Sequence, residues 1–440
     1  MEAGPTRANS GLIGTAMDTI YALSSGKPPA GIAVVRVTGA RAGDAVRSLA
    51  ERLPEPRKAL HSMLRASDGS VLDDGLVLWF PGPSSVTGED VAEFHLHGGK
   101  AIVAAVLAEL ANLDGLREAE AGEFTRRAFA NGKIDLAEAE GLADLLTAET
   151  ELQRRAAMSS AGGALSRQIE QWREQVLHLS AAVEAVLDFG DEDDVEGLSD
   201  DFYVKLAALG ADLEAVAARP TTEVLREGFR VVIAGPPNAG KSTLFNDLVG
   251  ADAAITAPVA GTTRDVLTKP VAIGGVPFVF VDTAGLRESG EDQIEAIGIE
   301  RARGEVDRSD LVLWLGLEGE GPVGALEVDA QSDNGAVARK RRPDVRLSAH
   351  TGEGMDELRS MLCKEAIAAI PGTSENALNE RQFKLVKEAC ASVRGARHMV
   401  DPLIIAEGLR QTRRAFDDLL GRTATEDVLD TLFGRLCIGK

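Results

Sequence analysis

At 440 residues the chain is long enough for about three globular domains on a soft prior of ~150 residues each, and its net charge of −22 excludes a protein that grips nucleic acid through phosphates alone. Any RNA contact therefore falls to local basic patches, such as Arg339–Arg342 and Arg410–Arg414, or to a basic partner. No apolar run approaches the ~18 residues of a membrane span, residues 1–17 lack the blocks of a signal peptide, and Cys363, Cys390 and Cys437 fit no metal or disulfide spacing, so a cytoplasmic, reducing location with no membrane partner is expected.

Taken in chain order, residues 18–134 mix short β-like runs (Gly31–Val37, Gly75–Phe80, Val91–Leu96) with glycine turns and an alanine-rich helix over 100–113. From Asp135 to Phe189 the chain is almost free of proline, with apolar residues at helical spacing. The acidic block Asp188–Asp194 and the stretch 219–228 lead into the apolar run Phe229–Ala234. Further strands are predicted at Phe278–Val281, Asp310–Leu317 and Val345–Leu347, and helical composition resumes after Pro371 and runs to Phe433. The pattern predicts an α/β multidomain chain. An N-terminal α+β domain covers 1–134, a discontinuous α-helical domain covers 135–225 and 371–440, and a nucleotide domain over 226–370 is inserted between the helical segments. An inserted switch domain can transmit its opening and closing to the helices at both attachment points.

The chemistry concentrates in the inserted domain. Gly235-Pro-Pro-Asn-Ala-Gly-Lys-Ser242 reads G-x-x-x-x-G-K-[ST] directly after a predicted strand. Its glycines let backbone N–H groups of Asn238, Ala239, Gly240 and Thr243 curl around a phosphate chain, Lys241 reaches the β- and γ-phosphates, and the Ser242 hydroxyl suits Mg²⁺. Asp282-Thr283-Ala284-Gly285 follows another apolar run and reads as D-x-x-G, in which Asp282 supports the Mg²⁺ shell and the Gly285 amide reports the γ-phosphate. Between them, Gly261-Thr262-Thr263-Arg-Asp265 offers Thr263 to close over Mg²⁺. These three elements in this order predict a nucleoside triphosphatase switch.

Two positions modify that reading. Where Ras-like proteins carry the water-orienting glutamine, this chain has Leu286, so hydrolysis needs another group, and the stretch Arg287–Glu295 offers three glutamates. In place of the guanine-reading N-K-x-D stands Ala330-Gln-Ser-Asp333, followed by Ser348-Ala349-His350 where S-A-K is usual. Asp333 keeps the carboxylate that accepts from guanine N1–H and N2–H₂. Too few residues precede this site for the usual intervening helix.

The chain resembles the MnmE (TrmE) family of tRNA-modification GTPases over nearly all of its length. Asp18-Thr-Ile20, Ile32–Gly39, Thr87–Glu93, His97-Gly-Gly99, Gly122–Thr125, Arg127–Phe129, Asn131-Gly-Lys133 and the terminal Cys437-Ile-Gly-Lys440 carry the resemblance, with the two switch sequences. The resemblance implies an inserted Ras-like G domain and an N-terminal domain that dimerises and binds 5-formyl- or 5,10-methylene-tetrahydrofolate. Arg36, Glu93, Lys133 and Lys440 map onto the folate contacts. It implies K⁺ beside the GTP, held by Asn238 and by the loop of Ala257, Val259 and Thr262, with Ala257 able to contribute only its carbonyl. Glu295 corresponds to the water-orienting glutamate. Cys437 corresponds to a candidate nucleophile toward the uridine ring, the alternative being a tail cysteine that packs while Lys440 binds. The implied function is K⁺-dependent GTP hydrolysis coupled to 5-carboxymethylaminomethyl or aminomethyl modification of the wobble uridine, position 34, of tRNA. A homodimer and a heterotetramer with the flavoprotein MnmG are implied with it. Two other readings stay open: an Era- or Der-type ribosome-assembly GTPase, and a folate-binding dimeric scaffold whose G domain has degenerated.

Overall fold

The computed structural model describes residues 18–189, 197–219, 221–250, 268–282, 304–335, 340–370, 378–434, 436 and 438–439. The chain divides into two compact units, one of residues 1–143 with 420–440 and the other of residues 144–419.

The first unit contains β1 (Thr19–Leu23), β2 (Ile32–Thr38), α1 (Ala42–Ala50), β3 (Leu60–Arg65), β4 (Val71–Phe80), β5 (Val91–His97), α2 (Lys100–Ala111), β6 (Leu116–Glu118) and α3 (Glu123–Ala130). The division falls within α4 (Leu136–Thr147). The strands form one sheet in the order β3-β4-β5-β2-β1-β6, antiparallel except for the β1–β6 pair. Residues alternate across it, as a pleated strand requires. Tyr21, Val35, Val37, Phe94 and Leu96 pack with Val46 and Leu49 of α1 and Val103, Val106 and Leu110 of α2, while Ile20 and Ala22 pack with Phe124 of α3. Helix α1 turns a buried stripe of Ala42, Ala45, Val46 and Leu49 to the sheet, the i, i+3, i+4, i+7 spacing of one helical face. The predicted strands are all present, and β4 begins four residues earlier than the apolar run suggests.

The second unit contains α5 (Glu151–Ala161), α6 (Ala164–Phe189), α7 (Asp200–Ala217), α8 (Glu223–Glu227), β7 (Phe229–Ala234), α9 (Lys241–Gly250), β8 (Thr268–Ile273), β9 (Val276–Asp282), β10 (Leu311–Trp314), β11 (Leu326–Asp329), β12 (Val345–Arg346), α10 (Met355–Ala369), α11 (Glu380–Arg397) and α12 (Pro402–Leu419). After it, α13 (Glu426–Phe433) belongs to the first unit. The sheet order is β12-β11-β10-β7-β9-β8, parallel except for β8–β9. Central β7 is buried on both faces, with Val231 and Ile233 in one core and Val232 and Ala234 in the other, which is why its sequence reads as a continuous apolar run. Phe278, Phe280, Leu244, Leu358 and Leu362 complete the larger core, each burial stabilising by roughly 1.5–3 kcal/mol. Strand β8 carries Pro270, tolerated because β8 is the edge strand.

The predicted strand over 310–317 is shorter. β10 ends at Trp314, and the chain bends around the indole: a Cβ on Gly316 would lie 2.4 Å from the ring, one on Gly321 would lie 2.7 Å away, and the indole N–H donates to the Leu317 carbonyl at 2.8 Å. The chain reaches β11 with no helix between, as the spacing predicted.

Helices α6, α7, α11 and α12 pack together. Trp172 stacks on Phe416 at 5.9 Å, Arg173 pairs with Asp417 at 2.9 Å, and α11 begins at a capping box of Asn379 and Gln382. No described helix is long and apolar enough to cross a membrane.

Candidate functional site

The loop from Gly235 to Gly240 links β7 to α9, and it needs left-handed backbone at both glycines (φ 150° and 92°) and at Asn238 (φ 65°). Helix α9 starts at Lys241, so its free N–H groups face the loop, the arrangement that binds phosphate. Lys241 is buried, and its ammonium donates to the Pro236 carbonyl at 2.8 Å. The Ser242 hydroxyl donates to Asp282 Oδ2 at 2.9 Å. Register explains the meeting: Ile233 of β7 lies opposite Asp282 of β9 in a parallel pair, so both strands deliver their ends to the same edge of the sheet. Asp282 is 3% exposed, and with Ser242 it forms an oxygen-rich corner that fits a hard divalent cation such as Mg²⁺.

The base-side residues meet at the ends of β11 and β12. A cavity of about 280 Å³ is lined by Gly240, Thr243, Ala330, Asp333, Ala349 and His350, among others. The Ser332 amide donates to the Leu347 carbonyl at 2.9 Å, which ties the Ala330–Asp333 loop to the Ser348–His350 loop. Ser348 is fully buried and its hydroxyl accepts from the Thr351 amide at 3.2 Å. Asn238, Ala239, Gly240, Lys241, Ser242, Thr243 and Asp282 therefore gather at one edge, and Asp333, Ser348, Ala349 and His350 stand beside them. Ala257, Val259, Thr262, Thr263, Thr283, Ala284, Gly285 and Glu295 lie outside the described residues. A contact the sequence reading missed is Gln331, whose amide donates to the Asn238 carbonyl at 2.9 Å. Its only signal was its place at the lysine position of N-K-x-D.

In the first unit, Arg36 and Glu93 are opposite residues of β2 and β5, joined by two nitrogens on one carboxylate oxygen at 2.8 and 2.9 Å. His95 reaches the other oxygen of Glu93 at 3.3 Å, and the Arg36 guanidinium lies 5.9 Å from the Phe124 ring centre. Lys133 follows α3 with an exposed side chain, and its Cε is 3.1 Å from where a Cβ on Gly88 would sit, so the 82–90 and 131–133 loops meet there. Asn131 reinforces that meeting by donating to the Thr87 carbonyl at 2.7 Å. Cys437 and Lys440 lie outside the described residues. Their neighbours show where the tail runs: Ile438 bridges to Ala121, and the Gly439 carbonyl accepts from the Ser24 hydroxyl at 2.8 Å.

Behind these loops lies a charged network absent from the sequence reading. Arg117 holds Glu123 by two bonds of 2.6 and 2.8 Å and reaches Asp18 at 2.5 Å, while buried Arg127 reaches Glu123, Asp18 and Glu89. Thr38 and Thr87 share a 2.7 Å hydrogen bond, and Thr38 also donates to Glu89 at 3.1 Å. Burial alone would raise the Glu123 carboxyl, but the hydrogen bonds from Arg117, the Glu120 amide and Arg127 hold it below its ordinary value. Asp18 follows the same pattern, with Arg117 as its main stabiliser against burial.

The parallel sheet, the glycine-bounded loop and the Ser242–Asp282 pair define a P-loop nucleotide-binding protein of the GTPase fold, carried in one chain with an α+β domain and a helical domain. A family model described as GTP-binding protein TrmE N-terminus matches residues 19–133, and one described as MnmE helical domain matches residues 136–437. The chain is 56% identical to the tRNA modification GTPase MnmE of Erythrobacter litoralis over 424 residues, covering 96% of this chain and 100% of that one. It is equally identical to that of Novosphingobium aromaticivorans over 435 residues, with the same shares covered, and 49% identical to that of Zymomonas mobilis. The chain belongs to the MnmE family.

Proposed function

We propose that this chain is a GTP hydrolase of tRNA modification, acting in the cytoplasm on the wobble uridine, position 34. The observation that carries this reading is the convergence of Lys241, Ser242 and Asp282 at one edge of the parallel sheet, in a chain of this family. Lys241 turns from the Pro236 carbonyl to the β- and γ-phosphates, and Ser242 and Thr263 hold Mg²⁺ with Asp282 behind them. The Thr283–Gly285 amides follow the γ-phosphate. Asp333 accepts the donor edge of guanine, in a pocket completed by Ser348, Ala349 and His350.

Asn238, Ala257, Val259 and Thr262 hold K⁺, which supplies positive charge between the phosphates as they separate. Glu295 orients the attacking water in place of the missing glutamine. In the N-terminal domain (1–134), Arg36, Lys133 and Lys440 attract the anionic tail of 5-formyl- or 5,10-methylene-tetrahydrofolate, and Glu93 accepts from the pterin N–H groups. Cys437 is placed to attack the uridine ring. The G domain (226–370), inserted between the helical segments 135–225 and 371–440, reports nucleotide state to a homodimer that works with the flavoprotein MnmG to install the 5-carboxymethylaminomethyl or aminomethyl group.

The test is GTP hydrolysis by the purified protein at high nucleotide concentration, in KCl against matched NaCl. K⁺-selective turnover is expected. No turnover in either salt, with folate still bound, would overturn the hydrolase in favour of a folate-binding scaffold. A deletion strain with normal wobble-uridine modification would overturn the tRNA assignment.

A further inference from the structure

We propose that Gln331 is a positioning residue that clamps the base-side loop onto the P-loop and thereby sets nucleotide affinity. The inference rests on the reading of Lys241, Ser242 and Asp282 as a nucleotide site, and three observations carry it. First, Gln331 Nε2 donates to the Asn238 carbonyl at 2.9 Å, so a side chain from the loop after β11 closes on the middle of a loop 93 residues earlier. Second, Gln331 Oε1 accepts from Asn334 Nδ2 at 3.2 Å, which uses the other end of the amide and leaves its nitrogen for the P-loop. Third, the side chain lies across Gly240: a Cβ built there would stand 3.2 Å from Gln331 Nε2 and 3.5 Å from its Cγ. A glycine at 240 is thus needed for the clamp as well as for its own turn.

Both clamped residues have left-handed backbone, Gln331 at φ 60° and Asn238 at φ 65°. Residues other than glycine hold that conformation only where their surroundings fix it, and here each side of the contact helps fix the other. Gln331 also lines the cavity that holds Asp333, so its carbons form part of the surface offered to a base. A lysine at this position would add a charge near the phosphates. The neutral amide adds geometry instead, pre-organising the P-loop before the ligand arrives. Its contribution belongs to ground-state and transition-state binding alike, which raises affinity without changing the rate at saturation.

The experiment is titration of the full chain with N-methylanthraniloyl-GDP and Mg²⁺, alongside steady-state GTP hydrolysis, for Gln331→Ala, Gln331→Met and Gln331→Lys. Methionine keeps the length and carbons without a donor, and lysine keeps a donor at the tip of an unbranched chain. We expect binding about five- to tenfold weaker for alanine and methionine, the scale of one lost hydrogen bond, with a matching rise in KM, an unchanged kcat and recovery to about twofold of the parent in the lysine variant. Thermal unfolding of each variant verifies folding, and methionine carries the test if alanine does not fold. Parent-like binding by the methionine variant, or a lysine variant as weak as methionine, overturns the clamp alone. A parent chain that binds no guanine nucleotide overturns the underlying site and the clamp with it.

Discussion

The Ser24 hydroxyl donates to the Gly439 carbonyl at 2.8 Å, joining positions 415 residues apart. Gly439 has φ 91°, and a Cβ there would stand 2.3 Å from the Leu23 carbonyl oxygen, so only glycine allows this docking. Leu23 ends β1, and its neighbour Ala22 lies opposite Arg36, itself opposite Glu93. The tail is therefore tied to the strand next to the proposed folate contacts. Gly439→Ala should weaken 5-formyl-tetrahydrofolate binding by about tenfold, or ~1.4 kcal/mol, while leaving GDP affinity alone. Isothermal titration with both ligands decides it, and an unchanged folate affinity would separate the tail from that pocket.

Acid should unfold the first unit through its carboxylates. The folded-state pKa of Glu123 lies below its ordinary value of 4.5, so its contribution to stability is complete above that value and is lost as pH falls through the lowered one. Asp18 acts in the same direction. The melting temperature measured between pH 7 and pH 3 should fall on the acid side, and Glu123→Gln should flatten that limb while lowering stability at neutral pH. An acid limb of the same slope in the variant would place the effect in other groups.

Ser242→Ala removes a hydroxyl from a corner in which Asp282 is almost fully buried. The Mg²⁺ concentration for half-maximal GTP hydrolysis should rise by about tenfold, and the rate at saturating Mg²⁺ should drop on the order of 10²-fold, the scale of one lost electrostatic stabiliser. A Mg²⁺ titration of hydrolysis reads both. A rate loss with an unmoved Mg²⁺ midpoint would mean the hydroxyl serves the loop rather than the ion.

Base selection should depend on Asp333, which lines the cavity opposite Gly240 and Thr243. Asp333→Asn replaces an acceptor-only carboxylate with an amide, so the guanine donors lose a partner and xanthine, with a carbonyl at that edge, gains one. GTP affinity should fall on the order of 10²-fold and XTP should become the better ligand. Competition against N-methylanthraniloyl-GDP measures both constants, and a preference for GTP retained in the variant would move base reading elsewhere in the pocket.

The nucleotide site was legible where a short motif dictates geometry. Gly235–Ser242 after an apolar run, and Asp282 at the end of another, placed the P-loop and its acidic partner before any coordinates. Strands β3 and β8 were less legible because their sequences lack a clean signal: β3 alternates exposed His61 and Met63 with half-buried neighbours, and β8 contains Pro270. The Asp18–Arg117–Glu123–Arg127 network and the Thr38–Thr87 bond could not be read at all. They depend on strands and loops far apart in sequence meeting, which residue periodicity does not encode. Gln331 was visible only as a departure from a motif; its role follows from the distance to Asn238. Thr263 and Glu295 lie outside the described residues, so their roles rest on the resemblance.

The chain has three tryptophans, and two of them, Trp79 and Trp172, are buried in cores remote in sequence from the P-loop. Trp314 is different. It lies opposite Ala234, the residue immediately before Gly235, and its indole is wrapped by Gly316 and Gly321 and bonded to Leu317. A Cβ on Gly235 would itself touch Leu315 and Gly316, so a P-loop that tightens on phosphate presses on the segment enclosing the indole. Nature has thus placed an intrinsic fluorophore against the hinge of the nucleotide loop. In a Trp79→Phe, Trp172→Phe background, emission from Trp314 alone becomes an optical readout of loop closure in real time, free of labels.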